Sequence, residues 1–235
     1  MKNLFLTVEG QTEEDFALKL LQPHLTAFDV FLWPPRFTGP HGRRHGRIPQ
    51  GGMFNTFRHA LEDMRRWLKE NHSQDARFSM MVDLYHLPRD FPGHDQGMAH
   101  ADCYEQAAVL EAAIAAELGD ARFIPYLQVH EFESLVLSEP AQFADWFEDR
   151  RHAIAALTEE CQPFDTPERI DHGQHYHPKA RIQRHFEDYD ENVHGPLLTH
   201  AIGLSTLRAR CRHFGRWLTR LEQLDQGSAW EMATR

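Results

Sequence analysis

Short apolar runs alternate with helical hydrophobic stripes through the first half of the chain, and no other feature restricts the fold as strongly. Four runs have the length and composition of buried strands: Leu4–Val8, Val30–Trp33, Arg77–Asp83 and Phe123–Val129. The segments between them carry apolar residues at helical spacing. This β-α-β-α-β-α-β order predicts an α/β fold with a mostly parallel sheet flanked by helices.

Helix-capping residues, together with glycines and prolines, predict the other elements of the first half of the chain. Thr12–Asp15 resembles the capping-box opening of the first helix, and Asp102 is placed to cap a later helix. Arg36–Gly52 and Tyr85–Ala101 contain the glycines and prolines typical of loops.

The second half of the chain is predicted to be helical from Phe132 onward. Asp165–His177 has an irregular pattern, and a short helix is expected from Pro178. A longer apolar periodicity predicts one helix at Ser205–Leu224.

Composition restricts the class of protein. The 235 residues are 41% hydrophobic, which suffices for one core, and no clear linker divides them. We therefore predict a single domain over residues 1–235, with its α/β core at about 1–137 and a helical C-terminal extension at about 138–235. Three cysteines without paired spacing, and no apolar run long enough to span a membrane, favour a cytoplasmic protein. The net charge of −10 disfavours a protein that coats nucleic acid, but it permits a nuclease because bound cations offset an acidic site.

Acidic side chains follow three of the predicted strands. Glu9 lies in the first strand-to-helix turn with Glu13 just beyond it, Asp83 ends a later strand, and Glu131 and Glu133 follow the last one. The carboxyl ends of parallel strands meet at one edge of a sheet, and carboxylate oxygens suit Mg²⁺ or Mn²⁺. These five acids are therefore candidate metal ligands. The alternative is that they only cap turns and stabilise helix N-termini.

Basic side chains offer phosphate contacts. Arg43 and Arg44 lie in the predicted loop Arg36–Gly52, which can hold phosphates without reading bases. Lys179 can stabilise negative charge developing on a phosphate, and Arg181 can assist it. The alternatives are a solvated loop and two ordinary exposed helix residues.

Histidine ligands are a weaker possibility. His130 precedes Glu131 and can orient a carboxylate or be a core residue. A zinc site can also be drawn from four scattered residues whose spacing does not match a zinc finger: His172, His175, His177 and Cys211.

Four phrases, VEGQTEEDF, MVDLYHLPRDFPG, FIPYLQVHEFESLVL and HPKARI, occur in this order. Together they resemble domain-of-unknown-function family 4276, a family of small bacterial proteins. That family is similar to a divergent Toprim fold related to the nuclease half of OLD-type proteins. The resemblance implies a Toprim-like domain, Mg²⁺ or Mn²⁺ at its acidic edge, phosphodiester cleavage, and a neighbouring ATPase partner in phage defence.

The resemblance also assigns residues. It places Glu9 at the Toprim glutamate and Asp83 at the first aspartate of the Asp-x-Asp motif. Tyr85 stands where that motif has its second aspartate, which counts against topoisomerase- or primase-type chemistry. Lys179 occupies a late position comparable with a lysine of OLD-type nucleases. The catalytic residues are therefore predicted to be Glu9, Asp83 and Lys179.

Two functions follow from these residues. The first is a metal-dependent phosphodiesterase acting on nucleic acid, as an effector that works with an ATPase encoded nearby. The second is a catalytically inactive interaction subunit of an ATPase complex, which Tyr85 and the acidic composition favour. The sequence does not distinguish DNA from RNA or a nucleotide.

Overall fold

A computed structural model describes residues 1–37, 56–85, 87–170 and 176–224. Six strands form one sheet: β1 (Lys2–Val8), β2 (Val30–Leu32), β3 (Arg36–Phe37), β4 (Ala76–Asp83), β5 (Phe123–Ile124) and β6 (Leu127–Gln128). Their order is β2-β1-β4-β5, with β3 also pairing with β1 and β6 with β4. Every described strand pair is parallel, so the predicted α/β architecture is confirmed.

Helices connect and follow the strands. The first, α1 (Gln11–Phe16), continues through a π-helical turn (Ala17–Leu21) into α2 (Gln22–Thr26). The other α-helices are α3 (Arg58–Glu70), α4 (His94–Met98), α5 (Cys103–Leu118), α6 (Glu133–Val136), α7 (Arg151–Cys161), α8 (Pro178–His185), α9 (Glu191–Arg210) and α10 (Arg212–Glu222). Two 3₁₀ segments lie at Pro140–Asp145 and Pro167–Arg169. Within the described residues, no helix combines the length and apolar composition needed to cross a membrane.

The sheet separates two hydrophobic layers, because side chains alternate between the faces of a strand. On one face, Phe78 and Met80 pack with the apolar residues of α3 and α5. On the other face, Leu4 and Leu6 pack with α1, α2, α9 and α10. The helical second half of the chain therefore covers one face of the sheet together with α1 and α2.

A series of hydrogen bonds links α10, the last described helix, to the central strand β4. The indole N–H of Trp217 in α10 donates to the Ser79 hydroxyl at 2.9 Å. That hydroxyl donates to the carbonyl of Ile124 at 2.7 Å. All three residues are buried, so the polar atoms at the centre of this layer satisfy one another.

Several predicted boundaries are corrected. The strand at Phe123–Val129 is divided into β5 and β6, because Pro125 has no N–H for a ladder. The loop at Tyr85–Ala101 contains α4. The helix predicted at Ser205–Leu224 is two helices separated at Cys211, whose φ of −113° and ψ of 94° are extended.

Other local predictions have mixed outcomes. The Asp102 side chain accepts from the N–H groups of Tyr104 and Glu105, at 2.9 and 3.3 Å, which confirms the predicted cap of α5. Arg36 and Phe37, predicted to begin a loop, pair with β1 instead. The remainder of that predicted loop lies outside the described residues.

Candidate functional site

The turn between β1 and α1 holds the first two acidic side chains. Glu9 follows β1, and Gly10 precedes α1. The Glu13 carboxylate accepts the Gly10 N–H at 2.8 Å and closes the turn. The N-cap is therefore Gly10 and not Thr12, and only the Glu13 half of a capping box forms, because glycine has no side chain. This hydrogen bond gives the buried Glu13 carboxylate a structural role in the turn in addition to its place in the site.

Asp83 ends β4 at the same edge of the sheet as Glu9. Met81 in β4 lies opposite Val8 in β1, so the acids that follow leave neighbouring strands together. The backbone N–H of Asp83 donates to Glu9 Oε2 at 3.1 Å. Both acids are half-buried and keep contact with solvent. The structure thus brings these two predicted residues together.

Glu131 joins the strand ends to α8. The preceding residue, His130, has a φ of 61°, and its carbonyl accepts the Tyr85 N–H at 2.8 Å. Glu131 Oε2 then accepts the backbone N–H of Lys179 at 3.0 Å and lies 2.9 Å from His177 Nδ1. The start of α8 therefore fixes this carboxylate.

Glu133 has a different environment. Its Oε1 accepts the Tyr189 hydroxyl at 3.2 Å, and both residues are buried. Glu131, which precedes α6, and Glu133, its first residue, therefore have separate partners.

Lys179 supplies positive charge beside these acids. Its ammonium forms an ion pair with Glu191, in the first turn of α9. Burial opposes protonation of Lys179, but the Glu191 hydrogen bond and the charges of Glu133 and Glu131 outweigh it, so its pKa lies above the usual value. Sequence analysis missed Glu191. The only local signal was Asp190, which caps α9 by accepting the N–H of the second residue after it at 2.9 Å.

These carboxylates raise one another's pKa. For half-buried Glu9, loss of hydration is the largest cause, and the charges of Glu13, Glu191 and Glu131 add to it. The hydrogen bond from the Asp83 N–H acts in the opposite direction, and the pKa of Glu9 is raised to about 8. Such coupling requires the charges to lie close together in a poorly solvated place.

The same causes act on the other acids. Burial and then the charge of Glu131 raise the pKa of Glu133 to about 8, although Lys179 opposes the rise. Burial raises the pKa of Glu13 to about 7 against two backbone hydrogen bonds. Burial and the charge of Glu9 raise the pKa of Asp83 well above its usual range. Negative charge is therefore in excess here, and protons or cations are favoured.

The carboxylates of this site have the chemistry to bind a hard cation, but they are not already arranged around one position. Among the residues that the structure describes, no group of three or more His, Cys, Asp or Glu side chains is arranged to hold a metal ion. The acids nevertheless present only carboxylate oxygens, which suit Mg²⁺ or Mn²⁺. A divalent cation would offset the charge that raises their pKa values. Binding would therefore require these side chains to rearrange.

Tyr85 lies beside Glu131 and stacks on His177. The ring centroids are 5.1 Å apart with an interplanar angle of 23°. Burial and then the charge of Glu131 raise the pKa of Tyr85 above 10.0. The phenol is therefore neutral at physiological pH and cannot supply the negative oxygen of a second motif aspartate.

Of three predicted phosphate-binding residues, one lies apart from these carboxylate contacts and two lie outside the residues that the structure describes. Arg181 is buried; it donates to the Tyr176 carbonyl at 3.0 Å and pairs with Glu160 at 3.4 Å. Arg43 and Arg44 lie outside the described residues. Their roles in substrate binding stay predictions.

Comparison with known proteins gives a family without an assigned activity. No curated protein and no solved structure matches the chain. The sequence profile described as "Domain of unknown function (DUF4276)" matches residues 8–222, a span that includes every carboxylate described above. The chain therefore belongs to the DUF4276 family.

Proposed function

We propose that the chain is a Mg²⁺- or Mn²⁺-dependent phosphodiesterase with a Toprim-like fold, acting on nucleic acid. One observation carries this proposal: half-buried Glu9 and Asp83 meet at the carboxyl edge of adjacent parallel strands. Buried Glu13 and Glu133 lie in electrostatic contact with Asp83. Ligands of open α/β sheets bind at this edge.

Each residue has a proposed role. Glu9, Asp83 and Glu131 would hold the cation, with Glu13 and Glu133 adding negative charge behind them. When bound, the cation would supply an activated water and stabilise charge on the phosphorus centre.

Lys179 would bind a substrate phosphate. Its ammonium is paired with half-buried Glu191, so an incoming phosphate would compete with that carboxylate for the same positive charge. The pair would keep Lys179 protonated and positioned until substrate arrives.

A catalytically inactive interaction subunit is the second candidate. Two observations favour it: neutral Tyr85 replaces an acid of the Toprim motif, and the described carboxylates do not form a ready metal set. In both cases the proposed partner is an ATPase encoded nearby in a phage-defence system, as the family resemblance suggests.

Cleavage of plasmid and of single-stranded circular DNA in Mn²⁺ tests the first candidate. The wild type should cleave, while Glu9→Gln and Asp83→Asn should lose at least roughly 100-fold in rate, because each removes one metal-binding charge. Glu139→Gln makes a comparable change at an exposed position and should cleave like the wild type.

The outcomes separate the two candidates. Equal cleavage by all four proteins would indicate a contaminating nuclease and contradict the proposal. Mn²⁺ binding without cleavage of DNA or RNA, alone or with the ATPase, would favour the interaction subunit.

A further inference from the structure

An exposed aromatic ring precedes, along the chain, the start of α8. Tyr176 keeps 57% of its surface exposed, more than the exposed Trp33 (44%) or Trp146 (41%). The next residue, His177, contacts Glu131 at 2.9 Å, and Lys179 follows two residues later. Tyr176 therefore adjoins, along the chain, the segment that contacts Glu131, while its own side chain lies with the arginines of α8.

Positive charge surrounds this ring. The guanidinium groups of Arg184 and Arg181 lie 5.6 and 5.9 Å from its centroid. These two arginines and His185 share one carboxylate, Glu160, so within this cluster two guanidinium charges face a single negative charge. The Arg184 side chain is 42% exposed and accessible to a ligand.

We propose that Tyr176 stacks against an unpaired base of a single-stranded nucleic acid while Arg184 contacts the adjacent backbone phosphate. This inference rests on the function proposed above. Every base has a π-face, so such a platform accepts any sequence. In a duplex the faces of the bases are already stacked on their neighbours and are inaccessible to a side chain. The substrate class inferred from this surface is therefore single-stranded nucleic acid, or an unpaired end or bulge.

Binding measured without metal tests this inference separately from cleavage. Fluorescence anisotropy in EDTA would follow a labelled single-stranded oligonucleotide of mixed sequence and the matching duplex. Tyr176→Ala should weaken single-strand binding roughly 5- to 100-fold, and Tyr176→Phe, which keeps the ring, should bind like the wild type. Trp146→Ala removes another exposed aromatic, 41% exposed, and should have no effect.

Arg184→Gln tests the phosphate contact. It should weaken binding and reduce the slope of log affinity against log salt by about 0.7, the value for one single-strand phosphate contact. Thermal unfolding of each variant would show whether it is folded. Tyr176→Phe then separates loss of the ring from loss of structure.

Three results would overturn the inference. The first is equal single-strand binding by the wild type and Tyr176→Ala. The second is no single-strand binding by the wild type. The third is complete displacement of the oligonucleotide by a free mononucleotide at the same nucleotide concentration. None of them depends on cleavage. Conversely, cleavage that survives Asp83→Asn would contradict the proposed function and leave the binding result intact.

Discussion

Neutralising Glu133 should stabilise the fold at alkaline pH when no divalent cation is present. Glu133 is buried, and its pKa is raised from 4.5 to about 8. Between these values the folded state holds a proton that the unfolded state has released. Stability must then fall as pH rises, by up to about 1.4 kcal/mol for each pH unit. Glu133→Gln removes this titration, and its amide oxygen can still accept the Tyr189 hydroxyl.

The size of the effect follows from the same numbers. The interval from 4.5 to about 8 sets a ceiling of roughly 5 kcal/mol at pH 8. Neighbouring acids share the proton uptake, so we expect roughly 2–3 kcal/mol for Glu133 alone. Near pH 5 the variant and the wild type should differ little, because Glu133 is then largely protonated in the folded protein.

Urea unfolding at pH 5, 6, 7 and 8 in EDTA would measure this difference. Exposed Glu139→Gln is the matched control and should show no such trend. A Glu133→Gln effect that is constant across the four pH values would refute the reasoning. So would a variant less stable than the wild type at pH 8, since the buried charge would then be stabilising.

Three further predictions use other parts of the structure. Mn²⁺ at 100 times its Kd should raise the Tm of the wild type by roughly 5–10 °C, and differential scanning fluorimetry should show no rise in Asp83→Asn. Burial opposes protonation of His213, but Glu111 at 2.8 Å outweighs it and raises the pKa above 6.5. The His213–Glu111 pair therefore contributes fully to the free energy of unfolding below pH 6.5, and this contribution is lost as pH rises through the pKa of His213 in the folded protein. Glu111→Gln should lower the free energy of unfolding, measured in urea, by roughly 1–2 kcal/mol at pH 6 and by little at pH 9. Asp102→Ala should cost roughly 1 kcal/mol by the same assay, because it removes the cap of α5, whereas Asp102→Asn should restore most of it.

Local sequence signals predicted the elements whose patterns are strong. β1 and β4 are apolar runs of strand length, and α5 has both an Asp102 cap and an apolar stripe. Parallel topology then predicts Glu9 and Asp83 at one edge of the sheet, where they lie in contact. These predictions succeeded because each depends on neighbours in the chain or on a general rule of sheets.

Contacts between distant segments were not predictable in the same way. The Lys179–Glu191 pair depends on how α8 meets α9, and the helix predicted at Ser205–Leu224 does not reach Glu191. Glycine at position 203, with a φ of 77°, also breaks the helical pattern of α9. The stacking of Tyr85 on His177 brings together residues far apart in the chain, which no single-sequence periodicity encodes.

The hydrogen bond from Trp217 to Ser79 spans 138 residues, and this span has a consequence for the order of folding. A nascent chain that has released β1 and β4 from the ribosome still lacks α9 and α10, which cover one face of the sheet. That face must stay incompletely buried until the last described helix emerges, so local helix formation cannot complete the core. Closure over so long a separation is slow, and the half-made protein presents an open apolar sheet in the meantime.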